Sequence, residues 1–271
     1  MNQLLKIGSN TQANMALRNL YRVNSKVALH QERLSTGKRI NSAKDDAAGF
    51  ALASDLKERL SGMKIAKQNI QNAQSVLTIV EAGQQKSIEL LQEMREKMLR
   101  VQDATLTTNQ RQSILDQLTE LKTELTDIYN SVKWNSSTPI PGSTISFQVG
   151  EETTDTFAVT TSMVQGSTFS AFASNSATAS AADITAIDTH IDNAISYAQS
   201  TGNKISRLSN KLDGMTTRIA TTESVRSTIE DADFAEEQME LIKAQIMQQT
   251  ATAALSQANT APQIVLQLFQ S

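Results

Sequence analysis

Asp45 and Asp46 are the first residues whose type and spacing could do chemistry, because paired carboxylates can serve as acid and base or as cation ligands. Neighbouring helical positions, however, point about 100° apart and cannot converge on one substrate atom. Helix capping, with carboxylate charge at the positive end of a helix dipole, is the simpler use of both. His30 and His190 stand far apart among polar positions, so neither reads as half of an acid–base or metal pair. There is no cysteine, which removes disulfides, thiolate metal sites and thiol nucleophiles together. Gly8, Gly37 and Gly49 form no phosphate-cradling motif. Asn135-Ser136-Ser137 is a glycosylation sequon by letters only. No nucleophile–base or metal constellation remains, so an enzyme is a distant reading and no cofactor is implied.

Charge is more informative than chemistry. The 271 residues carry 25 Lys and Arg against 28 Asp and Glu, a net of −3, with 4% aromatics. A core must then come from Leu, Ile, Val, Ala and Met, which suits long helices. No basic stripe marks a nucleic-acid partner, and no run of 18 apolar residues could enter a membrane. The opening MNQLLKIGSN does not read as a secretory signal, since Lys6 and polar residues break any apolar stretch. Between Lys133 and Lys204 no Lys or Arg occurs, while six acids do; the last 28 residues, from Ala244, carry no charge at all.

The elements follow from periodicity. Ala13, Ala16, Leu17, Leu20, Val23, Val27 and Leu34 recur at steps that predict a helix closing at Gly37. Ser42-Ala43-Lys44-Asp45 has the form of a capping box opening the next helix. That helix runs to about Asp103, with a heptad seam Leu77, Val80, Gln84, Ser87, Leu91, Met94, Met98 and Val101. Ile114, Leu118, Leu121, Leu125 and Ile128 continue the spacing in a third, antiparallel helix. Residues 135–180 hold 19 Ser or Thr; Thr144–Val149 and Asp155–Val159 alternate as strands of a hairpin, followed by a solvated loop to Ala182. A twelve-position seam from Ile184 through Leu208 and Met215 to Thr222 predicts a coiled coil. Ser227-x-x-Glu230 and Asp233-x-x-Glu236 both fit a helix start, suggesting a break near 223–233.

The fold expected is mainly α: a long antiparallel coiled-coil rod with a small β-hairpin and terminal helices pairing as an inner domain. Its segments are 1–36 and 227–271 (inner domain), 37–42 (connector), 43–133 and 183–226 (rod), and 134–182 (hairpin and outer loop). The uncharged tail has too little charge to stay exposed and too many glutamines for lipid. It is expected to bury against protein, pairing with the other end and with neighbouring subunits and ordering only on assembly.

Three segments together resemble bacterial flagellin. Arg33-Leu34-Ser35-Thr36-Gly37-Lys38-Arg39-Ile40-Asn41-Ser42-Ala43-Lys44-Asp45-Asp46-Ala47-Ala48-Gly49 is similar to the family's link between inner and outer core helices. Ser227-Thr228-Ile229-Glu230-Asp231-Ala232-Asp233-Phe234-Ala235-Glu236 resembles the returning half of that link, and Ala258-Asn259-Thr260-Ala261-Pro262-Gln263-Ile264-Val265-Leu266 its tail. Shorter likenesses lie at Phe147–Gly150 and Gln68–Gln74, so the resemblance runs in order from about Ile7 to Phe269.

The resemblance implies a short flagellin without large outer domains: an extracellular subunit that self-assembles into the flagellar filament. It implies unfolded export through the flagellar type III channel, with export apparatus, export chaperone and filament cap protein as partners. Leu17, Leu20, Val23 and Val27, with Ile264, Val265, Leu268 and Phe269, are the expected inner-tube contacts. Arg39, Asn41, Ser42, Asp45, Asp46, Asp231 and Asp233 are the connector signature. Met94, Arg95 and Glu96 match a segment with which some flagellins contact a Toll-like receptor. There, however, Glu93 replaces Arg and Lys97 replaces Leu, so weak receptor contact is expected. Six residues precede Ile7, more than is usual, and Gly8 stands where Asn is common. Competing readings are a hook–filament junction protein of similar terminal architecture and a secreted coiled-coil binding module.

Overall fold

The computed structural model describes residues 10–135, 140–169 and 181–270, with side chains in the last helix as far as Thr260 and in the fourth from Asp183. Among them are helices α1 (Thr11–Thr36), α2 (Ala47–Val101), α3 (Thr108–Ser131), α4 (Ala181–Glu230) and α5 (Phe234–Gln270). Strands β1 (Thr144–Gln148) and β2 (Thr156–Thr160) form the one two-stranded sheet. At about 1.5 Å per residue, the 55 residues of α2 span roughly 80 Å. The fold is that of a mainly helical coiled coil with a small antiparallel hairpin. It forms two compact units: one takes the described residues up to Glu58 and from Thr221 onward, the other Arg59–Ala220.

In the Arg59–Ala220 unit the heptad seam is the core. All eight predicted α2 positions, Leu77 to Val101, are buried, including polar Gln84 and Ser87. Gln84 Nε2 donates to the Ser162 carbonyl at 2.8 Å, and Ser87 Oγ to the Gly83 carbonyl at 2.9 Å. Ser87 is thereby satisfied, whereas Gln84 is only half compensated: its Oε1 is buried with no hydrogen-bond partner, at a cost of about 1–3 kcal/mol. From α3, Leu118 and Leu125 pack into the same cluster as Leu91, Met94 and Met98, and from α4, Ile187 and Ala194. A second cluster joins Met63, Ile70 and Leu77 to Leu208, Met215 and the hairpin residues Val149, Phe157 and Val159.

The hairpin lies where alternation puts it, with Phe147 opposite Phe157 and Ile145 opposite Val159. The segment after β2 does not behave as a solvated loop. Thr161, Met163, Val164 and Phe169 are buried, and Phe169 stacks on the His190 ring at 4.2 Å. A Ser/Thr-rich strap thus covers the rod through a few apolar side chains that composition averages conceal. The outer part of the expected loop, 170–180, and Ser136 and Ser137 of the sequon lie outside the described residues.

Glu151, at the hairpin turn, is held from both rod helices. Arg59 of α2 and Arg218 of α4 reach its Oε1 at 2.8 and 2.9 Å. The Arg59 hydrogen bond, aided by both positive charges, keeps this carboxyl below its ordinary range. A depressed carboxylate pKa stabilises the fold above the unfolded value and loses that contribution as pH falls through the folded one. Hydrogen exchange of the β1–β2 amides, corrected for intrinsic rate, should therefore accelerate below about pH 4.5. Glu151→Gln should exchange faster at neutral pH and lose most of that acid response; an unchanged response would mean the two arginines do not hold the hairpin.

Candidate functional site: the paired chain ends and their connector

Within the unit formed by the chain ends, α1 packs antiparallel on α5. Four polar contacts set the register: Asn10 Nδ2 to the Ala258 carbonyl (2.8 Å), Gln248 Nε2 to Asn24 Oδ1 (2.8 Å), and His30 and Arg33 to Glu237. The last is a charged clasp. His30 Nδ1 lies 2.5 Å from Glu237 Oε2, and Arg33 Nη1 lies 2.9 Å from Oε1. Burial pushes the Glu237 carboxyl up, but hydrogen bonds from His30 and Arg33 outweigh it and hold the group below the usual range. Nothing in the sequence marked this clasp, because its partners are over 200 positions apart and neither belongs to an apolar seam.

The connector is a small, fully bonded crossing. Gly37 ends α1 at φ +70°, a left-handed conformation that suits glycine, and its N–H donates to the Arg33 carbonyl at 2.8 Å. Lys38 and Asp231 then form an antiparallel bridge. The Arg39 amide donates to the Glu230 carbonyl at 2.7 Å, and the Ala232 amide to the Gly37 carbonyl at 3.0 Å. Arg39 also donates through its guanidinium to the Ile229 carbonyl at 2.9 Å. Glu230 accepts from Lys38 and, at 2.9 Å, from Arg226. Asn41 bonds back to the Lys38 carbonyl, and Ile40 is buried beneath. Asp231 is exposed; its backbone forms the bridge to Lys38, and its charge adds to the field that favours the Arg226 guanidinium.

Two helix starts differ from the sequence reading. Ser42 does not cap α2: its amide and hydroxyl, with the Asn41 amide, donate to Asp45 Oδ2, and the Ser42 hydrogen bonds keep Asp45 below its ordinary pKa. The cap is Asp46, whose Oδ1 accepts from Ala48 and Gly49 amides at 3.1 and 3.0 Å. Gly49 leaves room for this cap, since a Cβ would lie 2.5 Å from the Asp46 carboxylate and 2.6 Å from Ile40, so that one or both side chains would have to shift. Likewise Ser227–Glu230 is the last turn of α4, and only Asp233 opens a new helix, accepting from the Ala235 amide at 2.8 Å. The break therefore spans 231–233.

Of the expected inner contacts, Val23 is already buried against α5, Leu20 and Val27 are half-buried, and Leu17 is exposed. Ile264, Val265, Leu268 and Phe269 lie in α5, but their side chains are outside the described residues. Further apolar groups stand in solvent: Tyr21 and Met15 on α1, and Met239 (65% exposed), Ile242 and Ile246 (58%) on α5. The last three step by three and four, on the side of α5 opposite Ala244, which is buried. Among the receptor-segment residues, Met94 is fully buried in the rod core, which removes it as a surface contact. Arg95 pairs with Asp188 at 2.5 Å, and Glu96 is exposed. Among the described residues, no three His, Asp or Glu side chains converge as a metal site.

These features define a structural class: a helical protein whose two chain ends pair and whose paired surface is left apolar and uncovered. Profile comparison matches residues 7–143 to the bacterial flagellin N-terminal helical region and 184–269 to the bacterial flagellin C-terminal helical region. The chain belongs to the bacterial flagellin family. Relatives include the flagellin FljM of Caulobacter vibrioides, 30% identical over 98% of this chain and 99% of that protein. The flagellins of Listeria monocytogenes and Bacillus subtilis are 29% and 28% identical, each covering 98% of this chain and 100% of the relative. Among solved structures, a flagellar hook-associated protein from Vibrio parahaemolyticus has a similar fold, with TM-score 0.56 at 14% identity, over 69% of this chain and 100% of that one. As a flagellin, the protein is a structural subunit of the extracellular flagellar filament and not an enzyme. No described helix is long and apolar enough to cross a membrane.

Proposed function

We propose that the chain is exported unfolded through the flagellar type III channel, with an export chaperone and the filament cap as partners, and polymerises through its paired ends. Leu17, Leu20, Val23 and Val27, with Ile264, Val265, Leu268 and Phe269, form the inner-tube packing. The carrying observation is the uncovered apolar surface of the pair: Met239, Ile242 and Ile246 stand in water on a helix that carries no charge from Ala244 onward. Large exposed apolar groups at regular helical spacing mark an interaction face. At about 25 cal/mol per Å² of apolar area covered, such a face gains much from a second protein surface.

Removing residues 262–271 should abolish growth on filament seeds, seen by electron microscopy, while circular dichroism still reports a helical monomer. Long tubes from the truncated chain would refute the reading. For the full chain, discrete oligomers would instead favour a junction protein, and unchanged monomers a binding module.

Receptor contact is weak in this proposal. Glu93 faces its own Lys97 at 3.5 Å, and Arg95 is engaged by Asp188, so these three charges of the segment are paired internally. A cellular Toll-like receptor reporter should respond far less than to a flagellin carrying Arg and Leu at those positions. Full potency that disappears in Arg95→Ala would overturn this.

A further inference from the structure

We propose that the far end of the strap, residues 166–169, is an acid-sensitive latch: neutral His190 holds Phe169 against the rod, and protonating His190 releases it. Phe169 is buried, its ring centroid 4.2 Å from that of His190 and the two planes tilted by 43°. Phe169 and Val164 belong to the same apolar cluster as Leu118 and Ile187, so the half-buried His190 meets an apolar lid. An imidazolium held there loses hydration without gaining a counterion. Residues 161–169 carry no charged side chain. Of the elements packed together here, α2 brings Arg95, α3 brings Lys122, and α4 brings Asp183, Asp188 and Asp192. Asp188 and Asp192, two positions from His190, point to the other side of α4, and Arg95 engages Asp188 at 2.5 Å. Asp183 lies two turns away, roughly 10 Å along the helix, and Lys122 can only repel a second cation. Burial is what pulls His190 below its ordinary value of 6.5.

The two ends of the strap are held differently. Near β2, Thr161 donates through its hydroxyl to the Ile140 carbonyl at 2.9 Å and through its amide to the Ser143 carbonyl at 3.3 Å. Gln84 adds its bond to the Ser162 carbonyl, and none of these groups titrates near neutrality. At the far end, Gly166 sits against α3 so closely that a Cβ would lie 2.2 Å from the Lys122 carbonyl oxygen, and Phe169 closes on His190. The Thr168 and Phe169 amides donate within their own turn, to the Gln165 and Gly166 carbonyls at 3.0 and 3.2 Å, so their exchange reports whether the latch is shut. The sign follows from linkage. An open latch returns His190 to water and its ordinary pKa, whereas the shut latch lowers it. The shut state is therefore favoured fully above 6.5 and loses ground as pH falls below it, by up to about tenfold per pH unit. His30, the other histidine, lies on Glu237 in the unit of the chain ends, and carboxylates titrate lower.

Hydrogen exchange of the full-length monomer, resolved to single amides and corrected for intrinsic rate, tests the latch. Between about pH 7 and about pH 5 the Thr168 and Phe169 amides should exchange several-fold faster, while the Thr161 amide keeps its protection. His190→Phe keeps a ring beneath Phe169 but cannot titrate, so its far-end exchange should not respond to pH. His190→Lys is charged throughout, and at about pH 7 it should exchange as the native chain does at about pH 5. A second readout needs no variant to fold. In an NMR titration of the native chain, the imidazole with a nuclear Overhauser contact to Phe169 should titrate below 6.5. A value at or above 6.5 would overturn the latch, by showing that the Phe169 ring favours the charged imidazole. A pH response that survives in His190→Phe, or one that reaches Thr161 equally, would overturn it too.

Discussion

Replacing Leu118 with alanine is expected to destabilise the rod unit by about 2–5 kcal/mol. Leu118 is fully buried, and the cluster around it draws on four separate segments: α2, α3, the strap and α4. Removing its isobutyl group loses the transfer energy of the deleted atoms, and the helices cannot easily collapse into the void because each is fixed by its own seam. Leu99 is the matched control, the same residue type on α2 but 45% exposed, where alanine should cost well under about 1 kcal/mol. Urea denaturation followed by circular dichroism should show a large fall in midpoint for Leu118→Ala and little change for Leu99→Ala. Equal shifts would mean that the four-segment cluster does not carry the unit's stability.

That contrast also explains what could be read in advance. Leu118 was legible because it recurs with Leu121 and Leu125 at heptad steps, and the same periodicity located Leu91 and Leu208. A repeating local pattern announces its buried face without knowledge of the partner. The hairpin was legible for the same reason, with a period of two. The strap was not: Thr161, Met163, Val164 and Phe169 bury themselves at irregular steps within a Ser/Thr-rich run, against helices distant in sequence. Caps were half legible. Asp45 and Asp46 were recognisable as a helix start, but which carboxylate meets the free amides depends on how the chain leaves Gly37, and the Lys38–Asp231 bridge fixes that exit. Exposure on α5 was hidden too, because a helix apolar on two faces has no single amphipathic period to read.

The His30–Arg33–Glu237 clasp was the least visible feature, and its loss is the second large effect expected. Glu237 is 8% exposed and, among the described residues, is the carboxylate that both His30 and Arg33 reach. Glu237→Ala removes the shared acceptor and leaves the Arg33 guanidinium, only 22% exposed, without its counterion at the α1–α5 contact. Breaking such a partly buried pair from one side should cost about 3 kcal/mol of pairing between the chain ends. Lys26 on α1 and Glu240 on α5 also act there, but Glu240 is engaged by Lys243 at 2.9 Å and cannot fully replace the lost carboxylate. Hydrogen exchange across Leu20–Arg33 in the monomer should speed up in Glu237→Ala, while amides of α3 stay as they were. The sign of the pH effect is fixed by the depressed carboxyl. The clasp contributes fully above the ordinary Glu value of 4.5 and fades as pH falls through the lower folded value. The difference between native chain and Glu237→Ala should therefore be greatest near neutrality and shrink in acid. A difference that persisted unchanged at pH 3 would show that the side chain acts by packing and not by charge, since a protonated carboxyl could no longer serve as counterion to the Arg33 guanidinium.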